Sequence, residues 1–597
     1  MSKAKPPQKR KNDPKHPSPT QPKPDESPEG FFSSKAVRET IESIVIAFVL
    51  AFLFRTFEAE AFVIPTGSMA PTLMGRHKDL ACERCGYWYR AGASVEEDDG
   101  RLIANKSVVR TTCPMCRYVM ELGVEENEEE SIPFNVGHKS FSGDRILVSK
   151  FAYDFADPER WEVVVFKFPG NAKQNYIKRL VGLSNETVMI SHGDVYFGPH
   201  PLPEGWSKAD FKIARKPPHK VWATMQDVYD NDYRLAELID AGIPDRWRPW
   251  VEPSSPVSGG WVGGPDQNSF QTDGSAAGEV WIRYRHVPPS DENWEAILDG
   301  DEVIDPPQPS LITDDYAYNN FETKYPIGMS DRGTRNNANW VGDLMVQAEL
   351  EVSDVSGEIL LELAEGGVFF TCRIDVATGK ATLSISDDPE FSSTGQTEVR
   401  GPGTYRLAFA NADDRLYLWA DKKPWKPLTW LDAQPEVVRF DSPTTFGPLG
   451  NVTANEGRSR MSDLAPVRIG SRGVALTARH LRVKRDVYYR RVEFRSVDDT
   501  IQRPEQRNGR VYFEMDSDQY FLMGPDQFFV LGDNSPASSD GRHWPGNGLG
   551  KNFGHFVERR LLTGKAFFIY YPHPWPSRFN PLPWDVKPNI QRMGLVR

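Results

Sequence analysis

Apolar residues recur at every second position over much of this chain. The run DLMVQAELEV places Leu344, Val346, Ala348, Leu350 and Val352 on one face, the period of a half-buried strand. In EILLELAEGGVFFTCRID two such runs flank Gly366-Gly367, which predicts a hairpin. KATLSIS, TYRLAFA and DRLYLWA repeat the pattern, and strands at this spacing predict a β-sandwich. A different style, shorter and more continuously apolar, precedes them in DRILVSKF (144–151), WEVVVFKF (161–168), NYIKRLVGL (175–183) and TVMISHGDVYF (187–197). It returns after about residue 500 in GRVYFEM, QFFVLGDN and GKAFFIYYP. The expected fold is therefore mainly β: one domain in two parts, 59–199 and 501–597, interrupted by an inserted sandwich over 200–500. Within the insert, DYRLAELIDAG (232–242) predicts a helix.

The N-terminal pattern is different. Residues 40–57 read TIESIVIAFVLAFLFRTF, with an uncharged stretch from Ser43 to Phe54. That stretch is short against the roughly 20 residues a span requires. It contains no Gly or Pro, however, and Glu42 and Arg55 at its edges are placed to snorkel toward headgroups. A single transmembrane helix is expected over 37–58, retained because no small-residue cleavage site follows. Residues 1–36 are basic and proline-rich and read as a disordered tail. Positive charge keeps such a tail on the cytoplasmic side, which places the remainder outside a single-pass cell membrane. The chain of 597 residues carries a net charge of −12 and no long basic stripe, which argues against nucleic acid as its partner. Five cysteines are too few for a disulfide scaffold of this length, and Cys372, within an apolar run, reads as an inert core thiol.

Two segments carry candidate chemistry. Ser68 follows Gly67 between Pro65 and Pro71, a turn able to present a hydroxyl beside converging backbone N–H groups. Taken alone, it also reads as a plain turn residue. Lys178 shares a strand face with Tyr176 and Leu180. Burial on an apolar face lowers a lysine's pKa, and a neutral amine can take a proton from a serine hydroxyl. The competing reading puts Lys178 in solvent and Arg179 inside. A second constellation pairs Cys82-x-x-Cys85 with Cys113-x-x-Cys116, 27 residues apart. Four thiolates complete a closed tetrahedral zinc site, and a zinc-ribbon-like insert over 80–120 is expected. Two disulfides are the alternative on an oxidising side of a membrane.

Four ordered motifs resemble those of bacterial type I signal peptidases. They are Ile64-Pro65-Thr66-Gly67-Ser68-Met69; Gly143-Asp144-Arg145-Ile146-Leu147-Val148 with Lys150-Phe151-Ala152-Tyr153; Tyr176-Ile177-Lys178-Arg179; and Gly532-Asp533-Asn534 with Ser538, Asp540 and Arg542. The resemblance implies a barrel-like catalytic core with Ser68 as nucleophile and Lys178 as general base, and no cofactor in catalysis. It implies an oxyanion hole from the Thr66 hydroxyl and the Ser68 N–H, and a Ser538 hydroxyl bonded to the Lys178 amine. Asp540 and Arg542 would form a supporting ion pair, Gly532 and Asp533 a wall near the lysine, and Ile64 and Tyr176 shallow pockets for small substrate residues. The implied partners are signal peptides of exported preproteins, membrane lipid and the export machinery. Val181-Gly182-Leu183-Ser184-Asn185-Glu186 departs from the Pro-Gly-Asp turn usual in the family. The inserted sandwich resembles concanavalin or laminin-G jelly rolls. A membrane-tethered binding protein built on an inactive peptidase core is the alternative function. A self-cleaving Ser-Lys repressor is disfavoured, because no helix-turn-helix precedes the core.

Overall fold

The structure, a computed structural model, describes residues 34–57, 59–98, 101–102, 106–122, 138–250, 260–264, 268–324, 338–421, 437–439, 461–491, 506–507, 510–511, 519–544, 554–572 and 593–596. The basic tail, the acidic run beyond Leu122 and most of GRVYFEM lie outside these residues. Two compact units divide at residue 58.

The first unit contains one helix, Ser34–Phe57. It exposes Ile41, Ile44, Val45, Ile46, Phe48 and Val49, and Arg38 pairs with Glu42 one turn on. Among the described residues no helix is long and apolar enough to cross a membrane. The segment 37–58, where a span was expected, is helical to Phe57.

The second unit is built of antiparallel sheets. Strands Ala59–Val63, Arg145–Ser149, Leu562–Tyr571, Val163–Phe168, Asn171–Gly182, Gln527–Leu531 and Val557–Glu558 lie side by side in that order, and Gly594–Leu595 joins Leu562–Tyr571. The run Val163-Val164-Val165-Phe166 explains why this sheet is covered on both faces. Val163 and Val165 pack with Ile64, Met69, Leu73, Ile146 and Val148 on one side. Val164, Phe166 and Phe168 pack with Leu180, Val530 and Trp544 on the other. A continuous apolar strand is what burial on both faces demands. A six-stranded sheet adds the pair Glu186–Ser191 and Asp194–Pro199, with Gln519–Leu522 beside them. The single strand expected over 187–197 is therefore a hairpin. His192 (φ 52°) and Gly193 (φ 98°) both adopt positive φ, the signature of a primed two-residue turn.

The insert is a sandwich of two large sheets. One contains Leu344–Val352 between Leu476–Arg485 and Gly403–Ala412; the other contains Glu358–Glu365 between Val467–Arg472 and Val368–Asp375. The Gly366-Gly367 hairpin forms as expected, with both glycines at positive φ. Leu344, Val346, Leu350 and Val352 meet Leu361, Leu363, Phe370, Cys372 and Ile469 in one apolar core, and Cys372 is wholly buried. The helix expected over 232–242 shrinks to Ala236–Asp240 behind a short turn. A longer helix, Asp291–Asp299, stands where none was read. Ser290 and Asn293 close a capping box at its start, and Gly300 ends it at φ 77°. Those end signals are legible in SDENWEAILDG.

Leu361 is 1% exposed at the centre of the sandwich. Leu361→Ala is expected to lower unfolding free energy by about 3 kcal/mol through the cavity it leaves. A denaturant midpoint unchanged from wild type would contradict this core assignment.

Candidate active site

The turn Gly67–Met69 presents Ser68 because its neighbours are pinned below it. Ile64, Met69 and Leu73 insert into the apolar cluster under the sheet. Asp144 ties the segment down from the side: its carboxylate accepts from the Met74 N–H at 2.8 Å and its carbonyl from the Ile64 N–H at 2.9 Å. From above, the Asn534 N–H donates to the Ser68 carbonyl at 3.0 Å and the Asn534 amide donates to the Gly67 carbonyl at 3.0 Å.

Lys178 sits in register with Val164 on the neighbouring strand. Its Nζ lies 2.7 Å from Ser68 Oγ, across 110 positions of sequence, and 3.0 Å from the Ile177 carbonyl. Ser68 is 7% exposed and Lys178 4%. The choice between Lys178 and Arg179 as the inward residue was a false one. They occupy opposite faces of a strand buried on both sides, and both are buried. The Arg179 guanidinium grips the Asp533 carboxylate with two bonds of 2.6 Å and donates to the Trp161 carbonyl at 2.8 Å.

Burial dominates the lysine's titration and brings its pKa down to about 8, against opposing pulls from Asp540 and Asp533. Those pulls are limited because each carboxylate is already matched. Asp540 is held by Arg542 through bonds of 2.8 and 2.6 Å, with the Gly532 N–H on the same carboxylate at 3.0 Å. Burial disfavours the Asp540 charge, but Arg542 outweighs it and keeps the carboxyl well below its usual range. Arg542 extends the network to Ser535 Oγ at 2.7 Å and the Arg490 carbonyl at 2.6 Å.

Gly532 is a steric requirement. A Cβ there would stand 2.2 Å from Ser538 Oγ and 2.4 Å from the Ser68 carbonyl oxygen. Ser538 is thus beside the dyad, but its expected bond to the lysine amine is not made. Its buried hydroxyl has no partner, and the amine's hydrogen bonds go to Ser68 and Ile177. Ile64 and Tyr176 lie in different apolar clusters, on opposite sides of the sheet. Ile64 is 2% exposed and packs under the sheet. Tyr176 stacks on Phe168 at 4.6 Å on the other face, its ring centroid 5.5 Å from Lys178 Nζ. Residue alternation along the strands separates them. Thr66 is exposed and caps the nucleophile turn in extended conformation, without a side-chain bond to it. Nothing in the motifs that contain Asn534 and Arg179 marks their bonding partners, which lie far off in sequence.

The four cysteines converge. Cys82 Sγ is 3.5 Å from Cys116 Sγ, and Cys85 Sγ 3.6 Å from Cys113 Sγ, with all four sulfurs within 4.8 Å of one another. Two equivalent loops build the cluster. In each, the N–H four residues after the first cysteine returns to its carbonyl (Gly86 to Cys82, Arg117 to Cys113), from a residue at positive φ. The spacing suits thiolates around a tetrahedral metal, whose edges are about 3.8 Å for bonds of about 2.3 Å. Disulfide sulfurs would be about 2.05 Å apart. The cysteines are free and can hold a metal ion.

Comparison with known proteins points the same way. The family model described as signal peptidase, peptidase S26, matches residues 134–238 and 474–571. These segments carry Lys178 and the whole of the Gly532–Arg542 motif; Ser68 precedes them. The signal peptidase I of Pseudomonas aeruginosa is 45% identical over 58 residues, 8% of this chain and 20% of that protein. That of Leptolyngbya laminosa is 32% identical over 100 residues, 15% of this chain and 49% of its own length. A probable signal peptidase I-1 of Synechocystis is 25% identical over 175 residues, 28% of this chain and 55% of that protein. The chain therefore spans a fifth to little more than half of these relatives. Within that span, the resemblance to type I signal peptidases holds.

A lysine held near pKa 8 rather than 10.5 disfavours folding, because between about pH 8 and 10.5 the unfolded chain binds a proton that the folded chain does not; the penalty is complete below pH 8. Stability should rise with pH between about 8 and 10.5 on this account. Lys178→Met should remove that slope and stabilise the fold by roughly 2 kcal/mol at pH 7. A destabilised Lys178→Met protein would show that the amine is not desolvated.

Proposed function

We propose that this chain, two segments of which match the signal peptidase S26 family, is a membrane-bound serine endopeptidase that cleaves signal peptides from exported preproteins. The contact between Lys178 Nζ and Ser68 Oγ at 2.7 Å carries the reading. The amine, largely neutral above pH 8, takes the hydroxyl proton as Ser68 Oγ attacks the scissile carbonyl. The charged lysine then returns the proton to the leaving amine, leaving an acyl-enzyme. Water, deprotonated by the same amine, releases the acyl group. The Ser68 N–H and the Thr66 hydroxyl would meet the developing oxyanion, the latter by turning inward from its exposed position. Ser538 stands ready to accept from the charged lysine, its hydroxyl being uncommitted. A scaffold role with an inactive core leaves the desolvated amine beside the serine without a purpose.

The same reading assigns the helix Ser34–Phe57 to the membrane, its exposed apolar side chains meeting lipid, and the catalytic unit to the outer side of the cell membrane. The export machinery would deliver the substrate. The cysteine cluster would hold one zinc ion, closed by four thiolates and therefore structural.

A peptide bearing a signal-peptide cleavage site should be cut by wild type, and Ser68→Ala and Lys178→Ala should each lower turnover by at least 10³-fold. The rate should reach a plateau above about pH 8 and fall roughly tenfold per unit well below it, as the amine gains its proton. Equal turnover in wild type and Ser68→Ala would sink the assignment. Metal analysis of purified protein should find about one zinc per chain, and Cys82→Ser should lose it together with thermal stability. Absence of both zinc and free thiols would favour disulfides.

A further inference from the structure

The insert reaches the nucleophile. Its short turn Ala317–Asn319 lies against Gly67–Met69, although 251 positions separate Asn319 from Ser68. Asn319 and Asn534 form a reciprocal amide pair. The Asn319 Nδ2 donates to Asn534 Oδ1 at 2.8 Å, and the Asn534 Nδ2 donates to Asn319 Oδ1 at 2.8 Å. The same Asn534 Nδ2 donates to the Gly67 carbonyl, and the Asn534 N–H to the Ser68 carbonyl. Asn319 thereby fixes the rotation of the side chain that holds the Gly67 carbonyl, one residue before the serine, while the Asn534 backbone holds the serine itself. Both asparagines are buried, at 8% and 1% exposure, so neither amide has water to fall back on.

The neighbouring Tyr318 closes the other side. It is 3% exposed, and its hydroxyl donates to the Arg76 carbonyl at 3.1 Å. A Cβ on Gly67 would stand 2.2 Å from its ring, so ring and turn fit only because residue 67 has no side chain. The turn itself is anchored away from the peptidase sheet. Directly after it, Phe321–Thr323 pairs with Val108–Thr112, the strand that leads into Cys113.

We propose that Asn319 is a positioning residue of the peptidase, acting through Asn534 to hold the nucleophile turn, so that the insert completes the active site. The inference rests on the Ser68 and Lys178 reading for its catalytic consequence, but its physical content, the order of the turn, is measurable without turnover. Asn319→Ala should raise amide hydrogen exchange in a peptide covering residues 66–74 of the full-length protein, while exchange across the sandwich strand 358–365 stays at the wild-type level. Asn319→Asp, which keeps the shape but turns one donor into an acceptor, should do the same and serves if the alanine variant folds poorly. In cleavage assays Asn319→Ala should lower kcat at least tenfold with KM near wild type and the pH midpoint near 8 unmoved. Asn319→Ala combined with Asn534→Ala should be no worse than Asn534→Ala alone. Unchanged exchange at 66–74, or additive losses in the double variant, would overturn the inference. An inactive wild type would count instead against the peptidase reading, and exchange would still decide this one.

Discussion

One amine has to be stripped of water so that it gives up its proton near pH 8 rather than 10.5, and much of the surrounding structure is arranged around that requirement. A lysine at a protein surface, with a pKa near 10.5, offers only a minute neutral fraction near neutral pH, and lowering it to about 8 raises that fraction by about two orders of magnitude. Placing Lys178 on a strand covered on both faces removes its water. That step alone would be undone by two nearby carboxylates, Asp533 and Asp540, whose fields favour the ammonium form. Each is neutralised by an arginine of its own, Arg179 and Arg542. Buried ion pairs seldom add much stability, since desolvation offsets attraction. Here their function is to shape the wall beside the dyad while presenting the lysine with almost no net charge.

The same requirement explains why the two basic residues are adjacent. Period-2 alternation sends neighbours to opposite faces, so Lys178 meets Ser68 while Arg179 meets Asp533 at the back of the strand. A single strand thus sets both the proposed base and one of its neutralising pairs. Gly532 then lets the Ser538 side chain and the Ser68 carbonyl close in, where any side chain would hold them apart.

Much of this could be read from residues alone. The strands with clear alternation formed where expected, the Gly-Gly hairpin included, and the dyad followed from four ordered motifs. The failures have physical causes. The run 187–197 reads as one strand because its only turn signal is the His192-Gly193 pair, and histidine seldom adopts the positive φ it has here. The helix at 291–299 was missed although its capping residues were present, because its few apolar positions gave no strong period. Side-chain partnerships were less legible still. Ser538 was assigned to the amine by resemblance, yet the amine's bonds go to Ser68 and the Ile177 carbonyl. Asn319 could not have been found, since nothing local marks a turn asparagine as the partner of another more than 200 residues away.

An insert of such length can sit inside a catalytic fold only if it returns the chain to where it left. Its entry and exit are joined at one point. Buried Lys216 binds both Asp413 and Asp486, the latter at 3.0 Å, and the Tyr489 N–H donates to the Gly193 carbonyl at 2.9 Å. Closing a long loop costs little more entropy than closing a moderate one, so the insertion is cheap once its ends are clamped. The clamp leaves the order of the catalytic strands undisturbed. It also fixes the insert's orientation over the site, and from that orientation the segment around Asn319 reaches the nucleophile. Arg490, just past the clamp, pairs with Asp314 of the insert and offers its carbonyl to Arg542. The insert is therefore tied to the dyad's support on two sides, through Asn534 and through Arg542. A sandwich serving only as a tethered appendage would need neither connection.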